Sequence, residues 1–272
     1  MNGELAPTDD TTRIRGDSLT YPQPAAPAIS HSYTSLSAYE DCPRQHYLEY
    51  VVNAFPDYLP TESGASDGAS QRDIGVLFHD TAEQAARENT RSRAAWNGIC
   101  ERLATQRRVQ DALPAAKRCI ERYFELEPSE YELIDAEREF ELRLDGHELV
   151  GYIDAVYRTP EDESLVIDYK ATTRRRELDQ DNQLPIYLLA CRELYDEAVT
   201  RAGYAYVGEI GPDVATRSFD DDELQAVSDE LLTAMNRITD DSYHEYTAGE
   251  HCQWCQHRQL PCAPDGLQPD EP

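Results

Sequence analysis

Lysine is almost absent from this chain. Of its 25 basic residues only Lys117 and Lys170 are lysines, set against 53 acidic residues and a formal net charge of −28. That balance excludes attraction to phosphate backbones or anionic membranes through bulk charge. No stretch approaches the roughly 18 apolar residues of a membrane-spanning helix. Residues 1–30, rich in Asp, Thr, Pro and Ala, hold no apolar core of the signal-peptide kind and read as a disordered tail. No Gly-x-x-x-x-Gly-Lys-[Ser/Thr] phosphate loop occurs, so any helicase working with this chain would be a separate polypeptide. We therefore expect a cytoplasmic protein with no membrane contact, whose seven cysteines are not disulfide staples.

What is present is acid, balanced by arginine. This pattern resembles that of proteins from extreme halophiles, where an acidic surface preserves solubility in concentrated salt. Such salt screens phosphate attraction for every protein in the cell, so net charge says little about DNA binding. A DNA mimic is the other reading of the charge. Either way, a lysine inside a strongly patterned segment stands out.

Lys170 lies in such a segment. Leu165-Val166-Ile167-Asp168-Tyr169-Lys170 reads as a buried strand, with Asp168 and Lys170 on one face and Ile167 and Tyr169 on the other. Two charges at the end of an apolar strand are costly without partners, though a surface ion pair is the simpler account. The preceding segment, Leu149 to Tyr157, is a second apolar strand interrupted by one acid, Asp154. Between them Thr159-Pro160-Glu161-Asp162-Glu163 makes a polar turn. A hairpin symmetric about Glu161 places Asp154 opposite Asp168, with Cβ atoms about 4.5–5.5 Å apart. Two carboxylates that close repel unless a cation or proton lies between them. A divalent cation with oxygen ligands, beside Lys170, makes a metal-dependent hydrolase site.

At this point a family becomes visible. Gly151-x-Ile153-Asp154, then Asp168-x-Lys170, then Gln183-x-x-x-Tyr187 resembles the PD-(D/E)XK nuclease superfamily, and within it the RecB-like exonuclease branch that includes the AddB nuclease domain and the CRISPR-adaptation nuclease. Asp-x-Lys alone is a weak signal; the ordered set is strong. The resemblance implies a restriction-endonuclease-like α/β core, a mixed central sheet flanked by helices, and a DNA substrate met as single strands or ends, in repair or recombination. It implies Mg²⁺ or Mn²⁺ held by Asp154 and Asp168, with the Tyr169 carbonyl as a further ligand and Lys170 positioning or deprotonating water. His79, in Gly75-x-x-x-His79, matches an additional metal ligand of that branch; otherwise it is a helix-edge histidine. The branch also carries an acid on the preceding strand. Glu137 and Glu139 both qualify by parity and we prefer Glu139, with solvated glutamates as the alternative. Gln183 and Tyr187, i and i+4 on one helix, would hold the substrate backbone or brace Lys170. Arg174-Arg175-Arg176 is the best local phosphate-binding patch, or else a solvated loop. A degenerate DNA-binding module is the alternative class, as is a subunit active only within a helicase–nuclease or spacer-acquisition complex. Loss of the lysine or of one aspartate would signal the module, and neither is lost.

The domain boundaries follow. Residues 1–31 form a tail, 32–262 one nuclease domain, and 263–272 a second tail. Within the domain, 32–134 is helical, 135–240 is the catalytic α/β core, and 241–262 holds a cysteine cluster. Ser35 or Ser37 can cap a short helix ending near Cys42, and Pro43 can open the next. Residues 60–72 read as a flexible polar loop. A helix over Asp73–Trp96 carries Ile74, Leu77, Phe78, Thr81, Ala82 and Ala85 as one stripe. Pro114 reads as a break, and Asp145-Gly146 as a hairpin turn.

Cys252, Cys255 and Cys262 are clustered behind the core and need a fourth partner if they hold a metal. Cys100, Cys119 and Cys191 sit in helical patterns and read as small buried hydrophobes. Cys42, at a break between helices, is the better candidate. The RecB-like layout, one cysteine ahead of the core and three behind, implies a 4Fe-4S cluster on Cys42, Cys252, Cys255 and Cys262. Thiolates alone would suit zinc equally, and a mixed site with His251 or His257 is a further reading. Either metal would close a loop of about 210 residues.

Overall fold

The computed structural model describes residues 30–53, 69–178, 182–253 and 255–257. Most of the N-terminal tail, residues 60–68 of the polar loop, Cys262 and the C-terminal tail lie outside the described residues.

The sheet is built on two long strands. β2 (Glu132–Leu144) and β3 (His147–Arg158) pair antiparallel, joined at Asp145-Gly146. Both turn residues take positive φ, 45° and 90°, the mirror-image turn whose twist matches the flanking strands. On the other edge of β3 two strands share the ladder. β1 (Ser30–His31) runs parallel against Glu148–Leu149, and β4 (Ser164–Lys170) runs antiparallel against 155–158. β5 (Arg201–Tyr206) adds parallel to β4, and β6 (Asp213–Ser218) antiparallel to β5. The result is a mixed six-stranded sheet with helices on both faces.

The β3–β4 pairs run Arg158↔Ser164 to Ala155↔Ile167, the register of a hairpin about Glu161. No further pair forms, so the strands part at Asp154 and Asp168. Gly151 is required three residues before Asp154, because a Cβ there would sit 2.7 Å from the Phe140 ring packed across the strand.

One face of the sheet carries α1 (Tyr33–Asp41), α6 (Gln183–Leu194) and α7 (Asp221–Asp240), meeting Phe140, Ile153, Val166 and Tyr204 in one core. The other carries α3 (Gln71–Arg87), α4 (Arg93–Arg107) and α5 (Leu113–Tyr123), meeting Tyr157, Ile167 and Tyr169 in a second. The buried positions of α3 are the six of the predicted stripe. α2 (Pro43–His46) follows α1 and continues as a π-helical turn, Tyr47–Val51.

Three expectations about the helices need correction. Ser32 caps α1, with Ser35 completing a capping box, so the cap precedes both serines named from the sequence. The helix expected over Asp73–Trp96 is two helices. Asn89, at φ 47°, ends the first, and Ser92 caps the second. Pro114 opens α5 from its first turn, where its missing N–H costs nothing. No helix among the described residues is long and apolar enough to cross a membrane.

Candidate active site

Where β3 and β4 part, the lost ladder bond is replaced by a side chain: Asp154 Oδ2 accepts the Tyr169 N–H at 2.8 Å. Asp154 is 8% exposed and Asp168 2%. Their backbones obey the hairpin register, but the two carboxylates turn to different neighbours, as like charges in a dry sheet must.

Asp168 belongs to a closed ring. Its Oδ2 lies 2.6 Å from Lys170 Nζ. Lys170 donates to Gln183 Oε1 at 2.9 Å, Gln183 Nε2 donates to the Tyr187 hydroxyl at 2.8 Å, and that hydroxyl donates to Asp168 Oδ1 at 3.4 Å. Burial, then the Asp168 and Asp154 carboxylates, push the Tyr187 hydroxyl well above its ordinary range, so it stays a donor. Lys170 Nζ also lies 5.1 Å from the Tyr204 ring centroid. A buried ammonium is costly alone; here a carboxylate, an amide oxygen and a ring face hold it in one place. Gln183 and Tyr187 reach it together because they are i and i+4 at the start of α6.

Asp154 belongs to a second group. His79 Nδ1 stands 3.5 Å from Asp154 Oδ2 and 3.5 Å from Glu137 Oε1. The ligand atoms of these three residues all lie within 4.8 Å of one another. His79 is aimed by its neighbour: Phe78, fully buried, packs edge-on to the Tyr169 ring at 5.5 Å. Tyr169 in turn shares hydroxyl contacts with Tyr157, and Tyr157 with Tyr123. This aromatic block fixes α3 against β4. His79 Nε2 lies 3.2 Å from the Tyr169 carbonyl oxygen. That carbonyl, expected as a metal ligand, is engaged by the histidine.

Electrostatics ties the group together. Burial alone would lower the His79 pKa, but the Asp154, Glu137 and Asp168 carboxylates raise it to about 9. Burial raises Asp154 to about 7; His79 opposes that, and the Asp168 and Glu137 charges add to it. A buried carboxylate that resists ionisation beside an imidazole and a second carboxylate is the chemistry of a cation site. The donor set, one imidazole nitrogen and carboxylate oxygens, fits a Mg²⁺- or Mn²⁺-class ion.

Glu139 is not in this group. It pairs with Tyr152, whose hydroxyl donates to Glu139 Oε1 at 3.4 Å, on an exposed face with Tyr152 itself 54% exposed. Glu137 takes the place expected of Glu139. The reason is backbone: Glu137 has φ 46°, in the left-handed region, shortly after a register shift between Leu133 and Asp135. A non-glycine residue there stores on the order of 1–3 kcal/mol. Parity counts assume an unbroken pleat and could not separate the two glutamates.

Of the three arginines after β4, Arg175 pairs with Asp213 and lies 5.2 Å from the Tyr206 ring centroid. The Arg176 guanidinium contacts the Tyr33 hydroxyl at 3.4 Å. Arg174 is exposed and lines a cleft of about 550 Å³ together with His79 and Lys170.

The three helical cysteines read as buried hydrophobes are buried. Cys100, Cys119 and Cys191 are buried in helices, and burial pushes Cys119 up to about 11 and Cys191 to about 12, which leaves them inert thiols. Cys42 lies instead against the C-terminal segment: the Thr247 N–H points at Cys42 Sγ at 3.4 Å, and Cys252 Sγ lies 3.9 Å from the Thr247 carbonyl. Arg44 anchors the same segment through the Glu245 and His244 carbonyls. Cys255 Sγ accepts the His257 N–H at 3.4 Å. His251 Nε2 lies 3.7 Å from Cys252 Sγ, and His257 is buried beside Glu49.

Comparison with known proteins supplies the frame for this geometry. The family model of the PD-(D/E)XK nuclease superfamily matches residues 30–260. No curated protein sequence matches the chain. Among solved structures, a protein described as a candidate exonuclease from Eubacterium rectale aligns at a TM-score of 0.54 and 14% identity, over 91% of this chain and 94% of its own. A second, SSO0001, aligns over 85% of each chain at 14% identity with a TM-score of 0.40, too low to carry an argument. The mixed sheet flanked by helices agrees with that superfamily's core, and the chain belongs to the PD-(D/E)XK nuclease superfamily.

Proposed function

We propose that this protein is a divalent-metal-dependent DNA exonuclease of the RecB-like branch, acting on single strands or DNA ends during repair or recombination. One observation carries the reading. The His79–Glu137–Asp154 donor set adjoins the Asp168–Lys170–Gln183–Tyr187 ring, and His79 and Lys170 open into one cleft. His79, Glu137 and Asp154, with Asp168 beside them, would hold Mg²⁺ or Mn²⁺. When bound, such an ion polarises a phosphoryl oxygen and makes water a better nucleophile at neutral pH. The chain's own contribution is placement. Asp168 and Gln183 hold the Lys170 ammonium where negative charge builds on the phosphoryl group, and Tyr187 keeps Gln183 and Asp168 in register with it.

The test is degradation of single-stranded DNA with Mn²⁺, in high salt, by the wild type and by Lys170→Ala. Loss of one pre-placed charge is expected to slow cleavage on the order of 10²–10³-fold. Equal rates remove Lys170 from the chemistry. No activity in either favours the reading of a subunit that works only beside a separate helicase or recombination or CRISPR partner.

The same reading assigns a 4Fe-4S cluster to Cys42, Cys252, Cys255 and Cys262. Its support is that Cys42 and Cys252 flank one residue, Thr247, although they are far apart in sequence. A cluster there would be structural, tying the N-terminal helices to the segment after α7. Anaerobically purified protein should absorb broadly near 400 nm and lose that band in Cys42→Ser. Zinc in place of iron by elemental analysis overturns the cluster in favour of the zinc reading.

A further inference from the structure

In a chain with twice as many acids as bases, an arginine without a partner is informative. Most of the described arginines are tied to a carboxylate, a carbonyl, a hydroxyl or a ring face. Arg72, Arg108, Arg118 and Arg174 have no such partner among the described residues. Arg108 ends α4 and Arg118 lies exposed on α5, away from the cleft. Arg72 and Arg174 line the same cleft, the one holding His79 and Lys170.

The two come from separate elements. Arg72 is in the first turn of α3, a helix whose position is set by Phe78 packing on Tyr169. Arg174 lies just beyond β4, in a turn where the Thr172 hydroxyl donates to the Arg174 carbonyl at 2.8 Å. The base of that turn is fixed, because the Val207 and Gly208 N–H groups both donate to the Lys170 carbonyl. The frames of both are held, and their guanidiniums have no partner among the described residues. Between them the lining adds the hydroxyls of Thr172 and Thr173 and the amide of Gln71. Apart from the His79 imidazole, the described lining offers no open aromatic face for a base to stack on, since the Tyr169 ring belongs to the core beneath the sheet.

We propose that Arg72 and Arg174 form a two-sided clamp on a backbone phosphate adjoining the scissile one, so that the strand is positioned by its backbone and without regard to base sequence. The clamp deepens the nuclease reading and rests on it. Guanidiniums suit this task because their planar donors match phosphate oxygens in pairs. Bulk charge offers the substrate no attraction, so local unpaired cations must supply it. Arg72 was invisible in the sequence, where nothing separates it from the arginines that are paired. Both are positioning residues: they hold the strand and touch no reacting bond.

The experiment reads binding apart from cleavage. Affinity for a fluorescent single-stranded oligonucleotide is measured without divalent metal, across a range of salt in which circular dichroism shows the fold intact. Arg72→Ala and Arg174→Ala are each expected to weaken binding several-fold and to lower the salt slope by about 0.7. Arg118→Ala, exposed and equally unpaired, should match the wild type. Oligonucleotides with one neutral methylphosphonate linkage locate the contact. Neutralising the clamped phosphate should weaken the wild type but leave Arg72→Ala no weaker, while neutral linkages elsewhere weaken both. Absence of binding by the wild type, equal affinity of Arg72→Ala and the wild type, or an equal loss in Arg118→Ala overturns the clamp. If this pattern holds but the wild type cleaves nothing with Mn²⁺, the hydrolase reading fails and the clamp stands.

Discussion

Replacing Asp154 with Asn should reduce metal-dependent cleavage by at least about a thousandfold, on the order of 4 kcal/mol in the barrier, while leaving the protein folded. Asp154 is the residue on which both parts of the site converge. Its Oδ2 is 3.5 Å from His79 Nδ1 and accepts the Tyr169 N–H of the strand that carries Asp168 and Lys170. Asn keeps the shape, and its amide oxygen can still accept that N–H, so the parting of β3 and β4 survives. What disappears is a negative charge in a buried donor set, and with it the affinity for a hard cation. Rates with Mn²⁺, together with a Mn²⁺ titration of the folded variant, check the result. Wild-type activity in Asp154→Asn would remove the donor set from the reaction. Loss of activity with lost ellipticity would show that the residue serves the fold, and Asp168→Asn then repeats the test from the other strand.

The second expectation is that Mn²⁺ binding strengthens steeply with pH. Ligands must shed protons before they bind. With His79 raised to about 9 and Asp154 to about 7, both hold protons in mildly acidic solution. Apparent affinity should therefore rise about tenfold per pH unit between 7 and 9, where one proton is displaced, and faster below 7, where two are. It should level off above 9. Stability of the metal-free protein moves the opposite way. A histidine with a raised folded-state value contributes stability that is complete below its ordinary value of 6.5 and lost as pH climbs through about 9. A carboxylate with a raised value costs stability as pH rises from its ordinary 3.8 through about 7. Both weaken the metal-free protein on the alkaline side. The rise in melting temperature on adding Mn²⁺ should accordingly be larger at pH 8.5 than at pH 6. A shift of the same size at both values would show that His79 and Asp154 are not the groups that take the ion.

Short-range chemistry set much of this in advance. The Asp145-Gly146 turn, the hairpin about Glu161, the α3 stripe and the i, i+4 pair Gln183–Tyr187 are legible because each depends only on residues that are neighbours in sequence or one helical turn apart. The composition likewise singled out Lys170, since a chain with two lysines has little reason to bury one.

Tertiary structure decided what spacing could not. Glu137, rather than Glu139, joins His79 and Asp154 because one residue with φ 46° breaks the alternation that parity counting assumes. Asp154 and Asp168 turn to different partners because charge repulsion acts between side chains only once the strands are placed. Cys42 meets the segment around Thr247 because α1 and α2 pack against the end of α7 and the residues that follow it, a contact no local pattern encodes. Arg72 separates from the other arginines for the same reason: whether a guanidinium is paired depends on which carboxylates the fold brings within reach. Periodicity and turn chemistry are local and can be read from sequence. Pairing, repulsion and backbone strain act through space, so only the folded chain reveals them.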